Sequence, residues 1–194
     1  VPFIASGLDP TVTARHEAIV YDLDGTLVGL DVDWDAARSD AVAVLRARGV
    51  EEAPEMDLWD ALEAATAAGE PGVRRRVGEA IAEHERSGAR SAVRLPAADR
   101  LPHDVPVGVC SLNSEGACRI ALELHGIDAH VDAVVGRDSV GPYKPDPAPL
   151  LETIGRLQVD PASALFVGDS ERDELTAERA GVAFSYVSEY LDEE

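Results

Sequence analysis

The sequence predicts an α/β fold: a doubly wound parallel sheet of Rossmann-like type, with a small all-helical cap inserted after the first strand. Three observations predict it. Short apolar runs recur along the chain and read as strands buried on both faces. Amphipathic segments alternate with the later runs, as β-α-β units require. Between the first and second runs, from Gly29 to about Pro96, the chain carries helical patterns and no strand. The 194 residues are 45% hydrophobic, enough for one compact domain with a modest insertion. The expected division is a core of residues 1–28 and 97–194 and a cap of residues 29–96.

The strands expected are Ala18 to Leu23, Val105 to Cys110, Val131 to Val135, Ala164 to Val167 and Ala183 to Val187. Ser114 reads as the N-cap of a helix that ends near Gly126. Pro147 opens a second helix running to about Leu157, because proline is tolerated in a first turn. A third spans Glu171 to Ala180 and closes at Gly181. Within the insertion, helices are expected over Trp34 to Arg48, Glu55 to Ala68 and Val73 to Arg86, ending at Gly49, Gly69 and Gly88. Asp33 is the expected cap of the first of them.

The charge balance excludes some partners. There are 37 acidic residues against 17 basic ones, a formal charge of -20. Of the basic residues only Lys144 is a lysine. Such a field repels nucleic acid and anionic membranes. It suits a protein kept hydrated in concentrated salt, where repulsion is screened, and so reads as halophilic. An acidic mesophilic protein is the alternative. Cys110 and Cys118 have no metal-binding spacing and suggest a reducing compartment. No signal-peptide pattern or membrane-length apolar run is present, so the expectation is a cytoplasmic protein. A monomer is compatible with all of this, and the oligomeric state stays open.

Four places carry chemistry. Asp22 and Asp24 follow the first strand directly, where open α/β sheets bind ligands, and Gly25 permits the tight turn that aims both at one centre. Asp169 ends a later strand, and Asp173 falls four residues on, in the first turn of the next helix. Hard oxygen ligands at two strand ends suit Mg²⁺. Read alone, Asp169 and Ser170 are equally well simple helix caps. Lys144 is a compact point charge that a chain otherwise devoid of lysine keeps at one position, as a site between two anions would demand. Ser111 closes a strand, where its hydroxyl can hold a phosphoryl oxygen or merely serve a turn. The run Asp31, Asp33, Asp35 begins like a calcium loop but lacks its glycine and closing glutamate. It reads as a solvated helix start.

In this order, Asp-Leu-Asp-Gly-Thr after a strand, Ser111 before a helix, Tyr143-Lys144-Pro145-Asp146-Pro147, and Gly168-Asp169-Ser170 with Asp173 resemble the four motifs of the haloacid dehalogenase superfamily. The resemblance runs from about Ala18 to Val187 and is nearest to the phosphoglycolate phosphatase-like branch, with a short lid. One departure is Leu112, where many relatives carry Asn; here Asn113 comes one position later. The resemblance implies a Mg²⁺-dependent phosphatase acting on a small phosphorylated metabolite through an aspartyl-phosphate intermediate. It makes Asp22 the nucleophile and Asp24 the general acid and base. Lys144 and Ser111 would stabilise the transferring phosphoryl group. Asp22, the Asp24 carbonyl, Asp169 and Asp173 would hold the metal, with Asp173 acting directly or through water. Gly25, Thr26 and Asn113 would contact substrate. No organic cofactor is implied.

Rivals differ in particular residues. A dehalogenase needs no acid at Asp24, since a halide leaves without a proton. A phosphonate hydrolase of the family uses a lid lysine, and this insertion has none. A sugar phosphomutase shares Asp22 and Asp24 and stays open. A non-catalytic phospho-ligand-binding module would not need Asp24, and a phosphorelay receiver has no helical insertion. The five histidines have no zinc spacing, and no Gly-x-x-x-x-Gly-Lys loop is present. Arg74, Arg75 and Arg76 are adjacent and cannot all face one substrate.

Overall fold

A computed structural model describes residues 16–50, 56–69 and 71–192. Its main sheet has five parallel strands in the order β5-β4-β1-β6-β7, namely β1 Ala18–Tyr21, β4 Val107–Cys110, β5 Ala133–Val135, β6 Ala164–Gly168 and β7 Ala183–Tyr186. All five lie where apolar runs were expected. β1 is central, with Ile19 beside Val107 on one side and Leu165 on the other. This register brings the carboxyl ends of β1, β4 and β6 to one edge of the sheet, the place for a ligand in an open α/β sheet.

Alternation along β1 feeds two cores. Ile19 and Tyr21 join Val107, Val109 and Leu122 on one face. Val20 joins Leu150, Ile154 and Phe166 on the other. The covering helices are α4 Glu115–Leu124, α5 Ala148–Leu157, α6 Glu171–Ala180 and the short α7 Val187–Asp192. Ser114 caps α4 through Ala117, as expected, whereas Pro147 occupies the cap of α5 and not its first turn. α6 opens with a reciprocal capping box between Ser170 and Asp173 and closes at Gly181 with φ of 69°.

Between β1 and β4 lie α1 Trp34–Arg46, α2 Leu58–Ala67 and α3 Pro71–Ala89. They share a separate apolar core that includes Leu45, Leu62, Val77 and Ile81. Asp33 caps α1, its Oδ1 accepting from the Ala36 N–H at 2.9 Å. The start expected for the second helix at Glu55 lies outside the described residues.

Two expectations about this insertion are corrected. It is not free of strand: β2 Val28–Gly29 pairs antiparallel with β3 Val93–Arg94, so a two-stranded ribbon carries the chain into and out of the helices. Gly88 does not end a helix either. It lies inside α3, where a Cβ would stand 2.6 Å from the Asp31 carbonyl oxygen, so its bareness lets the helix press against the entering chain. No helix among the described residues is long and apolar enough to cross a membrane.

Candidate active site

Asp22 leaves β1 with its N–H still bound to the Val167 carbonyl of β6, which fixes the direction of its side chain's exit from the sheet. The chain then turns tightly. Gly25 has φ of 84°, a left-handed conformation, and the Leu23 carbonyl accepts from Thr26, Leu27 and Val28 in turn. Gly25 is required for a second reason: a Cβ there would lie 2.2 Å from Asp169 Oδ2. The turn therefore sets Asp169 against the backbone of the Asp22–Thr26 loop. Thr26 is buried beneath it with a hydroxyl that has no hydrogen-bond partner among the described residues.

Lys144 is the electrostatic centre. It is 2% exposed, and its ammonium lies 3.0 Å from Asp22 Oδ1 and 2.5 Å from Asp173 Oδ1. Burial works against its charge, yet the carboxylates of Asp22 and Asp173 outweigh burial and hold its pKa above the ordinary lysine value. The ammonium thus sits between two anions, the arrangement that the lone lysine suggests. Asp173 is held from its other side, where Ser170 donates to Oδ2 from its N–H and its hydroxyl at 3.2 and 2.6 Å.

Asp22, Asp24 and Asp169 all have pKa values raised by burial. Carboxylate neighbours raise each further: Asp173 acts on Asp22 and Asp169, and Asp169 on Asp24. The ammonium of Lys144 opposes the rise at Asp22 without cancelling it. Asp24 is restrained by Leu30, whose N–H donates to Oδ1 at 2.8 Å. Leu30 follows β2, so the chain entering the helical insertion holds this carboxyl directly.

Carboxylate oxygens of Asp22, Asp169 and Asp173 lie within 4.8 Å of one another. Asp22 Oδ1 is buried, and its partner among the described residues is the Lys144 ammonium. Crowded, partly desolvated carboxylates are a donor set for a small hard cation, and these residues fit Mg²⁺. The structure brings Asp24 to the same strand end without including it in that cluster.

Ser111 follows β4, tied by its N–H to the Val135 carbonyl at 3.0 Å. Its hydroxyl donates to Asn113 Oδ1 at 3.1 Å and accepts from the Asn113 N–H at 3.2 Å. The shift of Asn113 by one position thus leaves it on the same small loop as Ser111. A cavity of about 160 Å³ lies over Asp22, Asp24, Ser111 and Asn113. Trp34, Trp59, Glu85 and Leu112 complete its walls.

Several of these partners carry no sequence signal. Glu85 of α3 is fully buried and pairs with Arg137, which follows β5 and is 5% exposed. Glu85 Oε2 also accepts from the Ser114 N–H at 2.9 Å, and Arg137 donates to the Leu112 carbonyl at 2.8 Å. A buried ion pair from the insertion therefore braces the loop that carries Ser111. Trp59 of α2 lies between the Tyr143 ring, 5.9 Å away, and the Arg172 guanidinium, 4.7 Å from its ring centroid. Of the three adjacent arginines, Arg74 is half-buried and donates to the Gly141 carbonyl, while Arg75 and Arg76 are exposed. Arg74 and Arg75 line a separate cavity of about 400 Å³ that shares no lining residue with the first.

Known proteins resemble this chain in sequence and fold. A family model described as haloacid dehalogenase-like hydrolase matches residues 99–187. A phosphoglycolate phosphatase of Cereibacter sphaeroides is 34% identical, covering 88% of this chain and 84% of that protein. The chain belongs to the haloacid dehalogenase-like hydrolases. Another relative, a phosphoglycolate phosphatase of Rhodospirillum rubrum, is 33% identical over 86% of this chain and 77% of its own. Among solved structures, a haloacid dehalogenase-superfamily hydrolase, subfamily IA, from Geobacter sulfurreducens aligns with a TM-score of 0.57. It is 25% identical and covers 92% of this chain and 96% of that one. Within the haloacid dehalogenase-like hydrolases, this protein is a phosphoric monoester hydrolase.

Proposed function

We propose that the protein is a Mg²⁺-dependent phosphatase of small phosphomonoesters that works through an aspartyl-phosphate at Asp22. The observation that carries this is the Lys144 ammonium held between Asp22 and Asp173, with Asp24 after the same strand as Asp22 and Asp169 at the end of the adjoining one. Asp22 attacks phosphorus, the ester bond breaks, and the alkoxide takes its proton from Asp24. The burial that raises the Asp24 pKa suits it to hold that proton. Asp24 then takes a proton from the water that cleaves the acyl phosphate. Lys144 and Ser111 stabilise the phosphoryl oxygens, and Gly25, Thr26 and Asn113 bound their pocket. Asp22, Asp169, Asp173 and the Asp24 carbonyl would hold the metal, which neutralises charge between carboxylate and phosphate. Residues 29–96 serve as the cap over a core of residues 1–28 and 97–194, excluding bulk water while Asp24 works.

Metal binding is testable without turnover. Asp22 and Asp169 have folded-state pKa values above the ordinary carboxylate range, so charge on them costs stability as pH rises through that interval. A cation relieves this most when they are ionised. Mg²⁺ at about 100 times its Kd should add ~2.7 kcal/mol, which raises Tm by roughly 5–10 °C for a chain of this size. The gain should shrink toward pH 5, and excess chelator should stop para-nitrophenyl phosphate hydrolysis. Undiminished turnover in chelator would remove the metal from the mechanism.

The charge of -20 and the single lysine further support a halophilic protein. Screening should relieve self-repulsion, so Tm should climb between low and molar potassium chloride. A flat or falling Tm would contradict the halophilic reading.

A further inference from the structure

The catalytic cavity differs from its neighbour in charge. Among the described residues no arginine or lysine lines it, although it lies over the carboxylates of Asp22 and Asp24. The cations close to it are committed elsewhere. Lys144 is bound to Asp22 and Asp173, and Arg137 to Glu85 and the Leu112 carbonyl. Arg172 stacks on the Trp59 ring and is not among the residues that line the cavity. What faces the cavity instead is one buried carboxylate, Glu85, and both of the chain's tryptophans, Trp34 and Trp59.

A second anion on the substrate would meet poor conditions there. Leaving water for this cavity costs an ionised group heavily unless a cation or several donors replace the lost hydration. Glu85 spends both oxygens on Arg137 and the Ser114 N–H, so this buried pair offers neither a free donor nor a free cation to a second anion. Indole faces offer a surface for C–H groups and rings, not for carboxylates. The free volume, about 160 Å³, must also hold the phosphoryl group at Asp22, so what remains accepts only a small leaving group.

We propose that this cavity selects phosphomonoesters of small uncharged alcohols and disfavours leaving groups that carry a carboxylate. The proposal rests on the phosphatase function proposed above and narrows its substrate class. It sets this chain apart from what the names of its phosphoglycolate phosphatase relatives suggest.

The test uses a matched pair that differs in one group. In 2-phosphoglycolate the leaving group carries a carboxylate; in 2-hydroxyethyl phosphate a CH₂OH stands in its place. With the full chain, Mg²⁺ and high salt, kcat/KM should be at least tenfold greater for 2-hydroxyethyl phosphate. A variant should move this ratio. Trp34 is 42% exposed, so Trp34→Arg leaves the core intact while adding a cation to the wall. That variant should shift the ratio toward 2-phosphoglycolate by fivefold or more. Equal or greater kcat/KM for 2-phosphoglycolate in the wild type overturns the proposal, as does an unchanged ratio in Trp34→Arg. Both outcomes leave the phosphatase function standing. Inertness toward both compounds and toward para-nitrophenyl phosphate refutes that function as well, so the two failures are distinguishable.

Discussion

Asp22→Asn should abolish turnover of every phosphomonoester while leaving the fold intact. The amide is nearly the same size as the carboxylate but cannot form an acyl phosphate. Because burial already penalises the charge at this position, a neutral side chain removes a strain and does not create one. Tm without metal should therefore match or exceed that of the wild type, and the gain on adding Mg²⁺ should fall. Asp24→Asn makes the instructive contrast. Loss of an acid and base should cost about 10²- to 10⁴-fold with an alkyl ester. The loss should be smaller for para-nitrophenyl phosphate, whose leaving group departs without a proton. Steady-state kinetics on both variants with both substrates, together with thermal melts, decide this. Wild-type turnover in Asp22→Asn would end the nucleophile assignment, and equal losses on the two esters would end that of the general acid.

Three of the candidate site residues that the sequence singles out share a property: each follows a strand. Asp22, Ser111 and Asp169 stand at the ends of apolar runs that could only be buried, so their place at one sheet edge follows from the alternation of strands and helices. Lys144 was legible by composition, as the lysine that an arginine-only chain retains. Glu85 and Arg137 were not legible. They are 52 residues apart, one in a helix with charged neighbours and one after a short strand, and only the packing of insertion on core makes them partners. The contact of Trp59 with Arg172 is hidden for the same reason. Strands β2 and β3 escaped because two residues each are too few to show alternation. Gly49 and Gly69 do take the left-handed conformation that ends helices, with φ of 70° and 69°, whereas Gly88 is selected by contact with Asp31. Glycine as a letter does not separate those two uses.

Lys144→Met should be damaging twice. Nζ is the common partner of Asp22 and Asp173, so its removal leaves two buried carboxylate oxygens facing one another with nothing between. Breaking a buried ion pair from one side costs ~3–5 kcal/mol. In a chain of this length that is a fall in Tm of roughly 6–20 °C. Catalysis should suffer as well, by about 10²- to 10³-fold, the usual loss when one preorganised donor to the reacting group is removed. The pH dependence separates charge from packing. The folded-state pKa of Lys144 lies above its unfolded value, so its stabilisation is complete below the unfolded value and is lost only as pH climbs through the folded one. The Tm deficit should therefore hold steady from pH 8 to 9, above the Asp22 pKa of about 7. It should narrow in acid, where Asp22, with its raised pKa, takes up a proton and no longer needs the ammonium. Lys144→Arg keeps the charge in a broader planar fork, and so should recover stability before activity. Melts across pH alongside kinetics for both variants give the answer. A deficit that does not narrow in acid would mean that Lys144 fills space there, and wild-type rates in Lys144→Met would take it out of the reaction.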